Sequence, residues 1–221
     1  MTRRFGIPAL ACTLALVWLP FSQAHAADAP CCGTPTAAAQ QLTAALDASG
    51  VDHLWLAGQR VDWRTGESRG DAPDDGRGHT HCSAFAAAFL EQRGVYVLRP
   101  PAHGTRLLAN AQRDWLQSPA ASTMGWRRLG DMGEAQSLAN QGHLVLATFA
   151  NPRSDRPGHV AIIRPAEISE SRLRREGPQI TQAGKDNALS TTLREGFRHH
   201  PGAWPSGIAF FVMDKAAATS P

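Results

Sequence analysis

The spacing of apolar residues changes along the chain from a helical period to a strand-like one. In the first part of the chain apolar positions recur every three or four residues, as in a predicted helix from Cys82 to Arg93 in which Phe85 and Phe89 share the face of Cys82. After residue 143, short apolar runs bounded by Gly, Pro and Asn predict strands. Helices followed by strands predict an α+β fold, with the helices packed on one side of an antiparallel sheet of about four to five strands.

The sequence predicts the following helices, strands and loops along the chain. The first helix is predicted to begin at Thr34–Pro35, with Leu42 and Leu46 on its inner face, because proline suits the first turn of a helix. A short hairpin is predicted within 51–64, and the polar, glycine-rich stretch 66–78 is predicted to be a loop. Further helices are predicted over 82–93, 105–117 and 133–140, and strands over 144–149, 159–164, 179–183 and 208–213.

Residues 1–26 have the pattern of a secretory signal peptide. Arg3 and Arg4 precede an uncharged apolar run, and Ala24-His25-Ala26 supplies small residues at the predicted cleavage site. A transmembrane anchor is the alternative, but two prolines interrupt the run. We expect an exported protein, periplasmic or secreted, without stable membrane insertion. The remaining chain is predicted to comprise a flexible N-terminal arm, a single domain and a flexible tail, over 27–34, 35–214 and 215–221.

Length and charge narrow the classes of function. A chain of 221 residues is the size of one medium globular domain. It has 22 Lys and Arg against 19 Asp and Glu, and two of the basic residues lie in the predicted signal peptide. A nearly neutral domain provides no field that would attract nucleic acid, so DNA and RNA are disfavoured as partners.

The number of cysteines after the predicted signal peptide is odd. Cys31, Cys32 and Cys82 follow the signal peptide, and an odd number in an oxidising compartment leaves at least one unpaired or bonded to another molecule. Neighbouring cysteines bridge each other only with strain. A disulfide from one of the pair to Cys82, which would block that thiol, is an open alternative.

Cys82 stands where a loop enters a predicted helix. The free N–H groups and the dipole at a helix N-terminus stabilise a thiolate, so a cysteine there is predisposed to act as a nucleophile. A small buried core cysteine is the alternative, because free cysteine is among the most buried residue types.

A nucleophilic thiol needs a base, and the base needs an orienting group. His159 opens an apolar strand directly after Pro157-Gly158, where its ring can face an open site. In an antiparallel pair the start of one strand lies beside the end of the next, and Gln182 occupies that position on the same face as Ile180. Asn187, in the following loop, is the alternative partner.

Two short segments carry a resemblance to a known superfamily. His81-Cys82-Ser83-Ala84-Phe85 at the start of a helix, followed later by Gly158-His159-Val160-Ala161-Ile162-Ile163, resembles the NlpC-type and CHAP-type amidohydrolases and peptidases of the papain-like superfamily. The resemblance covers roughly residues 76–184. The chain departs from the usual pattern at His81, where Asp or Asn is common, and at Gln182, where His, Glu, Asn or Asp is more familiar.

The resemblance implies a papain-like fold and hydrolysis of amide bonds in bacterial cell-wall peptides. We expect no cofactor and no metal. It implies Cys82 as the nucleophile, His159 as the general base and acid, and Gln182 as the third catalytic residue. The oxyanion of the intermediate would be stabilised by the Cys82 backbone N–H and by a second donor from Trp63, Arg64 or the loop 79–81.

Two other functions are compatible with the same residues. A non-catalytic module on the same fold would bind a wall peptide or a protein partner. An acyltransferase or transglutaminase would form the same thioester and differ only in the acceptor. A zinc site formed by His79, His81 and Cys82 with His199 or His200 is disfavoured because their spacing lacks the paired ligands of structural zinc sites.

Overall fold

The computed structural model describes residues 1–2 and 28–214. The predicted signal peptide and the predicted C-terminal tail lie outside the described residues, except for the first two residues. Within 28–214 the chain is mixed α and β, with seven helices and antiparallel sheets, of which one has six strands. None of the helices in this part of the chain is long and apolar enough to cross a membrane.

The secondary structure begins with a short strand and ends with a buried one. The helices are α1 (Ala37–Asp47), α2 (Cys82–Glu91), α3 (Leu108–Leu116), α4 (Pro119–Thr123), α5 (Met132–Asn140), α6 (Glu170–Glu176) and α7 (Leu193–Gly196). The strands are β1 (Pro30–Cys31), β2 (Gln59–Val61), β3 (Ser68–Asp71), β4 (Trp126–Arg128), β5 (Val145–Phe149), β6 (His159–Ile163), β7 (Ile168–Ser169), β8 (Gln179–Gln182), β9 (Ala188–Thr192) and β10 (Ala209–Met213).

The central sheet has the strand order β4-β10-β5-β6-β8-β9, and every neighbouring pair is antiparallel. In β6, His159 lies opposite Phe149 of β5, and Ile163 lies opposite Ile180 of β8. The inner strands β5, β6 and β10 are buried along their whole length. This register brings the start of β6 next to the end of β8.

Two apolar clusters pack on the two faces of this sheet. We call the face that carries Val160 and Ile162 the α2 face, because these residues pack with α2. We call the other the α5 face, because Ala161 and Ile163 pack there with α5 and α7. Burying one Leu, Ile or Phe side chain contributes roughly 1.5–3 kcal/mol, so both faces contribute to the stability of the fold.

The sheet differs from the predicted one in two respects. It has six strands instead of about four to five, because β4 and β9 are edge strands whose sequences lack a long apolar run. The helices lie on both sides of the sheet and not on one, because the inner strands are apolar on both faces and each face needs a cover. The prediction of a sheet covered on one side was therefore wrong.

The hairpin near residue 60 also differs from the prediction. Its strands are β2 and β3, so β3 lies within the stretch that was predicted to be a loop. The turn between them is organised by Asp62, whose Oδ1 accepts the backbone N–H groups of Arg64 and Thr65. A side-chain carboxylate that caps a turn in this way fixes the hairpin without any apolar pattern in the second strand.

The segment that was predicted to be a flexible arm is paired with the rest of the domain. Pro30 and Cys31 of β1 lie opposite Ser169 and Ile168 of β7. The buried Asn140 at the end of α5 donates to the backbone oxygen of Gly33 at 2.6 Å and anchors the segment further. Main-chain pairing of this kind holds a segment that has few apolar side chains.

The disulfide pattern answers the question left open by the sequence. Cys31 and Cys32 are bonded to each other, and Cys82 is a free, buried cysteine. The alternative disulfide from this pair to Cys82 is therefore wrong in this structure.

Candidate functional site

Cys82 is the first residue of α2, as the sequence predicts. The N-cap residue His81 provides no side-chain hydrogen bond to the helix, so the first-turn N–H groups are left for other acceptors. Hydrogen bonds from the backbone N–H groups of Val160, Ser83 and Cys82 itself lower the pKa of the thiol. Burial acts more strongly in the opposite direction, and the pKa of Cys82 is raised above its ordinary value. The resting sulfur is therefore a neutral thiol.

His159 opens β6 and directs its side chain to the α5 face. The edge-to-face contact with Phe197 has a centroid distance of 4.6 Å, and the stacked contact with His200 has a centroid distance of 4.9 Å. His159 is only 2% exposed, and this burial lowers its pKa to about 4 although the hydrogen bond to Gln182 acts in the opposite direction. The imidazole is therefore neutral at ordinary pH.

A chain of hydrogen bonds fixes the tautomer of His159. Gln182 Nε2 donates to the backbone oxygen of Asp186 at 3.0 Å, which assigns Oε1 to the side of the amide that faces His159. His159 Nε2 lies 2.8 Å from that Oε1 and must therefore be the protonated nitrogen of the ring. The remaining nitrogen, Nδ1, keeps a free lone pair and is the basic atom.

Gly196 makes room for this arrangement. A Cβ on Gly196 would stand 2.5 Å from both Gln182 Oε1 and Ile180 Cδ1, so no larger residue fits against the Gln182 amide. The glycine belongs to α7, which packs on β8 and brings the neighbouring Phe197 against the ring of His159.

The structure brings two of the three predicted site residues into direct contact. His159 and Gln182 are hydrogen-bonded on the α5 face, whereas Cys82 packs in the cluster on the α2 face. The sulfur reaches the strand backbone at Val160, the residue that follows His159. Among the described residues, no hydrogen bond joins the Cys82 thiol to the His159 ring. The thiol and the base therefore lie on opposite faces of the sheet, with the peptide between His159 and Val160 separating them.

Asn187, the alternative partner of His159, forms hydrogen bonds with other residues. Its Nδ2 donates to the backbone oxygens of Val51 and Leu54 at 2.7 and 2.8 Å, and its Oδ1 accepts the N–H of Gly184. It therefore ties the loop after β8 to the turn after α1. The assignment of Asn187 to the imidazole is wrong, and the prediction for Gln182 has the contact that it requires.

Several proposed oxyanion donors are already engaged. The backbone N–H of Arg64 donates to Asp62 Oδ1 at 2.8 Å, so Arg64 is not free to bind an oxyanion through its main chain. The ring of His81 is hydrogen-bonded to the backbone oxygen of Gln59, and His79 is paired with the carboxylate of Asp75.

Within the described residues there is no group of three or more His, Cys, Asp or Glu side chains that could hold a metal ion.

The sequence does not place Gly196, Phe197 and His200 around the imidazole, although it offers His200 as a disfavoured zinc ligand. Gly196, Phe197 and His200 come from a short helix and the turns that follow it, where no periodic pattern marks an inward-facing side. The local signal is the stretch His199–Pro205, which is rich in Gly, His and Pro and predicts a rigid turn.

Comparison with known proteins adds no assignment to this geometry. No protein-family model matches the chain, and no curated protein matches it.

Proposed function

We propose that this protein is an exported thiol hydrolase of the papain-like, NlpC or CHAP type, which cleaves amide bonds in peptidoglycan peptides. Cys82 is the nucleophile, His159 is the general base and acid, and Gln182 orients the imidazole. Export is supported by the signal-peptide pattern of residues 1–26, and the substrate class is supported by the resemblance of the segments around Cys82 and His159.

The observation that carries the proposal is the pair of contacts at the first peptide of β6. On one side the backbone N–H of Val160 meets the sulfur of Cys82 at a helix N-terminus. On the other side His159 is fixed by Gln182 as the Nε2–H tautomer, which leaves Nδ1 as a base. The chain thus supplies a nucleophile, a base and an orienting amide, which are the three groups that thiol hydrolysis uses, and the thiol has to rotate to come within hydrogen-bond reach of Nδ1.

The first half of the reaction would acylate the sulfur. Because the resting thiol and imidazole are both neutral, Nδ1 of His159 takes the thiol proton as the sulfur attacks the carbonyl carbon. Rotation of the Cys82 side chain toward the ring accompanies this step. The amine then leaves with the proton from Nδ1, and a thioester remains on Cys82.

The second half would return the free enzyme. Water attacks the thioester carbonyl and gives its proton to Nδ1 of His159, and the carboxylic acid is released as the sulfur regains a proton. Negative charge on the carbonyl oxygen develops in both halves at the N-terminus of α2. One backbone donor at such a position is worth about 3 kcal/mol in comparable sites.

A non-catalytic binding module is the second candidate. It is favoured by two observations. The thiol and the imidazole are both buried, and no hydrogen bond joins them among the described residues. Such a module would bind wall peptides without changing them.

Mass analysis of purified wall fragments mixed with the protein distinguishes these functions. For a hydrolase we expect shortened fragments and, after rapid acid quenching, an acyl adduct on the peptide that contains Cys82. A binding module would retain fragments of unchanged mass and carry no adduct. If an added amine appears in the products in place of water, the protein is an acyltransferase. A variant with Cys31→Ser and Cys32→Ser is the matched control, and we expect it to form the same acyl adduct on Cys82.

A further inference from the structure

His200 is a second imidazole at the site. Its ring is stacked on that of His159, with centroids 4.9 Å apart and planes inclined by 20°. His159 is 2% exposed whereas His200 is half-buried, so His200 covers the outer face of the inner ring. Phe197 meets the same ring edge-to-face at 4.6 Å. The imidazole of His159 is thus held by two aromatic side chains as well as by the Gln182 hydrogen bond.

The backbone around His200 is built to keep this position. The N–H of His200 donates to the oxygen of Phe197 at 2.9 Å, and the N–H of Ala203 donates to the oxygen of His200 at 3.0 Å. The ring itself makes no hydrogen bond within the described part of the chain. Its contact with His159 is therefore through the ring face, because stacked rings direct their nitrogens outward in nearly parallel planes.

Titratable and charged side chains lie near the ring of His200, the outer of the two stacked imidazoles. His199 lies beside His200 and is paired with Asp186 at 2.8 Å, and Asp186 is also paired with Arg198. Burial, followed by the proximity of His159 and then of His199, lowers the pKa of His200 to about 3. When His159 takes up a proton, it therefore meets the face of a neutral ring, which is a favourable contact for a cation.

We propose that His200 is a positioning residue. Its ring face holds the imidazole of His159 in the orientation in which Nε2–H meets Gln182 and Nδ1 is left as the base. This inference deepens the proposed function and rests on it for its meaning in catalysis. It assigns to His200 a task that depends on a planar aromatic face and not on its nitrogens.

Two substitutions separate the ring face from the nitrogens. His200→Phe keeps a planar ring, and we expect a kcat within about threefold of the wild type. His200→Ala removes the face, and we expect kcat to fall about tenfold to a hundredfold, with KM changed by less than about twofold, because small displacements of a catalytic group are costly. His53→Ala removes an exposed histidine that is 70% accessible and serves as the matched control.

Nitrogen NMR on the full chain provides a readout that does not depend on activity. In the wild type and in His200→Phe we expect the Nε2–H tautomer of His159. In His200→Ala we expect water to reach the ring, so that its pKa rises from about 4 toward the ordinary value. His200→Leu, which fills the space without a planar face, replaces the alanine variant if that variant does not fold.

Two results would overturn the inference. One is a His159 tautomer and pKa that are unchanged in His200→Ala or His200→Leu. The other is a His200→Phe variant that is as impaired as His200→Ala, which would assign the role to the nitrogens. If the wild type cleaves no wall material, the proposed function fails, and the NMR measurement alone decides whether His200 positions His159.

Discussion

Gln182 accepts a hydrogen bond from His159 across 2.8 Å, and this contact determines which nitrogen of the imidazole is basic. The amide is itself oriented by the backbone oxygen of Asp186, so the direction of the hydrogen bond is fixed from outside the pair. A neutral amide can orient an imidazole without adding a charge to a buried site, where an unpaired charge is costly.

Replacing Gln182 tests this orientation. In Gln182→Glu a carboxylate would face the ring, and we expect the pKa of His159 to rise above its value of about 4, because an opposite charge favours the imidazolium. In Gln182→Ala the Nε2–H would lose its partner, and we expect kcat to fall at least about tenfold. The pKa is measured by NMR titration of the ring. An unchanged pKa in Gln182→Glu would contradict the contact.

Gly196→Ala tests the close approach behind the Gln182 amide. The added methyl group would stand 2.5 Å from Gln182 Oε1, so we expect the amide to move and the protein to lose about 1–3 kcal/mol of stability, as in other overpacked cores. Urea unfolding measures the loss. Gly104→Ala is the matched control, because a Cβ at Gly104 meets no atom within 4 Å. Equal stabilities of the two variants would contradict the packing.

The sequence predicted the order and the faces of the site elements. The start of a helix marked Cys82, and strand alternation correctly assigned His159 and Gln182 to one face with Ile180. These features are local, because they follow from periodicity and from the pairing of consecutive strands.

The approach of distant elements could not be predicted in the same way. Alternation along β6 does not say which face receives α2, and the structure places that helix on the face opposite His159. His200 reaches the imidazole through a short helix and turns whose sequence has no period. Each of these depends on packing between segments far apart in the chain, which a single sequence does not encode in any local pattern.

Burial of His159 predicts a dependence of stability on pH. The pKa is about 4 in the folded state and roughly 6.5 when the ring is exposed, so between these values the unfolded chain binds more protons. The contribution of the buried, neutral His159 to the free energy of unfolding is therefore complete above about pH 6.5. It is lost as the pH falls toward 4, by about 3 kcal/mol in all. Urea unfolding from pH 7.5 to 4 measures it. We expect stability to fall less with decreasing pH in His159→Gln than in the wild type. An equal fall would contradict the assignment of the lowered pKa to His159.

The reactivity of Cys82 reports the charge of the resting site. Because burial raises the pKa of the thiol, we expect alkylation by iodoacetamide to be slow at pH 7 and to accelerate as the pH rises. A site with a preformed thiolate and imidazolium would react rapidly down to pH 5. Mass analysis of the labelled peptide against time measures the rate, and the disulfide between Cys31 and Cys32 leaves Cys82 as the free thiol in the described part of the chain.

The most direct test of catalysis by Cys82 is the rate at which purified peptidoglycan is cleaved by the wild type and by Cys82→Ala. We expect new amine and carboxylate ends in the wild-type digest and a rate in Cys82→Ala that is lower by at least about a thousandfold, as for the loss of other catalytic nucleophiles. Cleavage at the same rate by both proteins would contradict it.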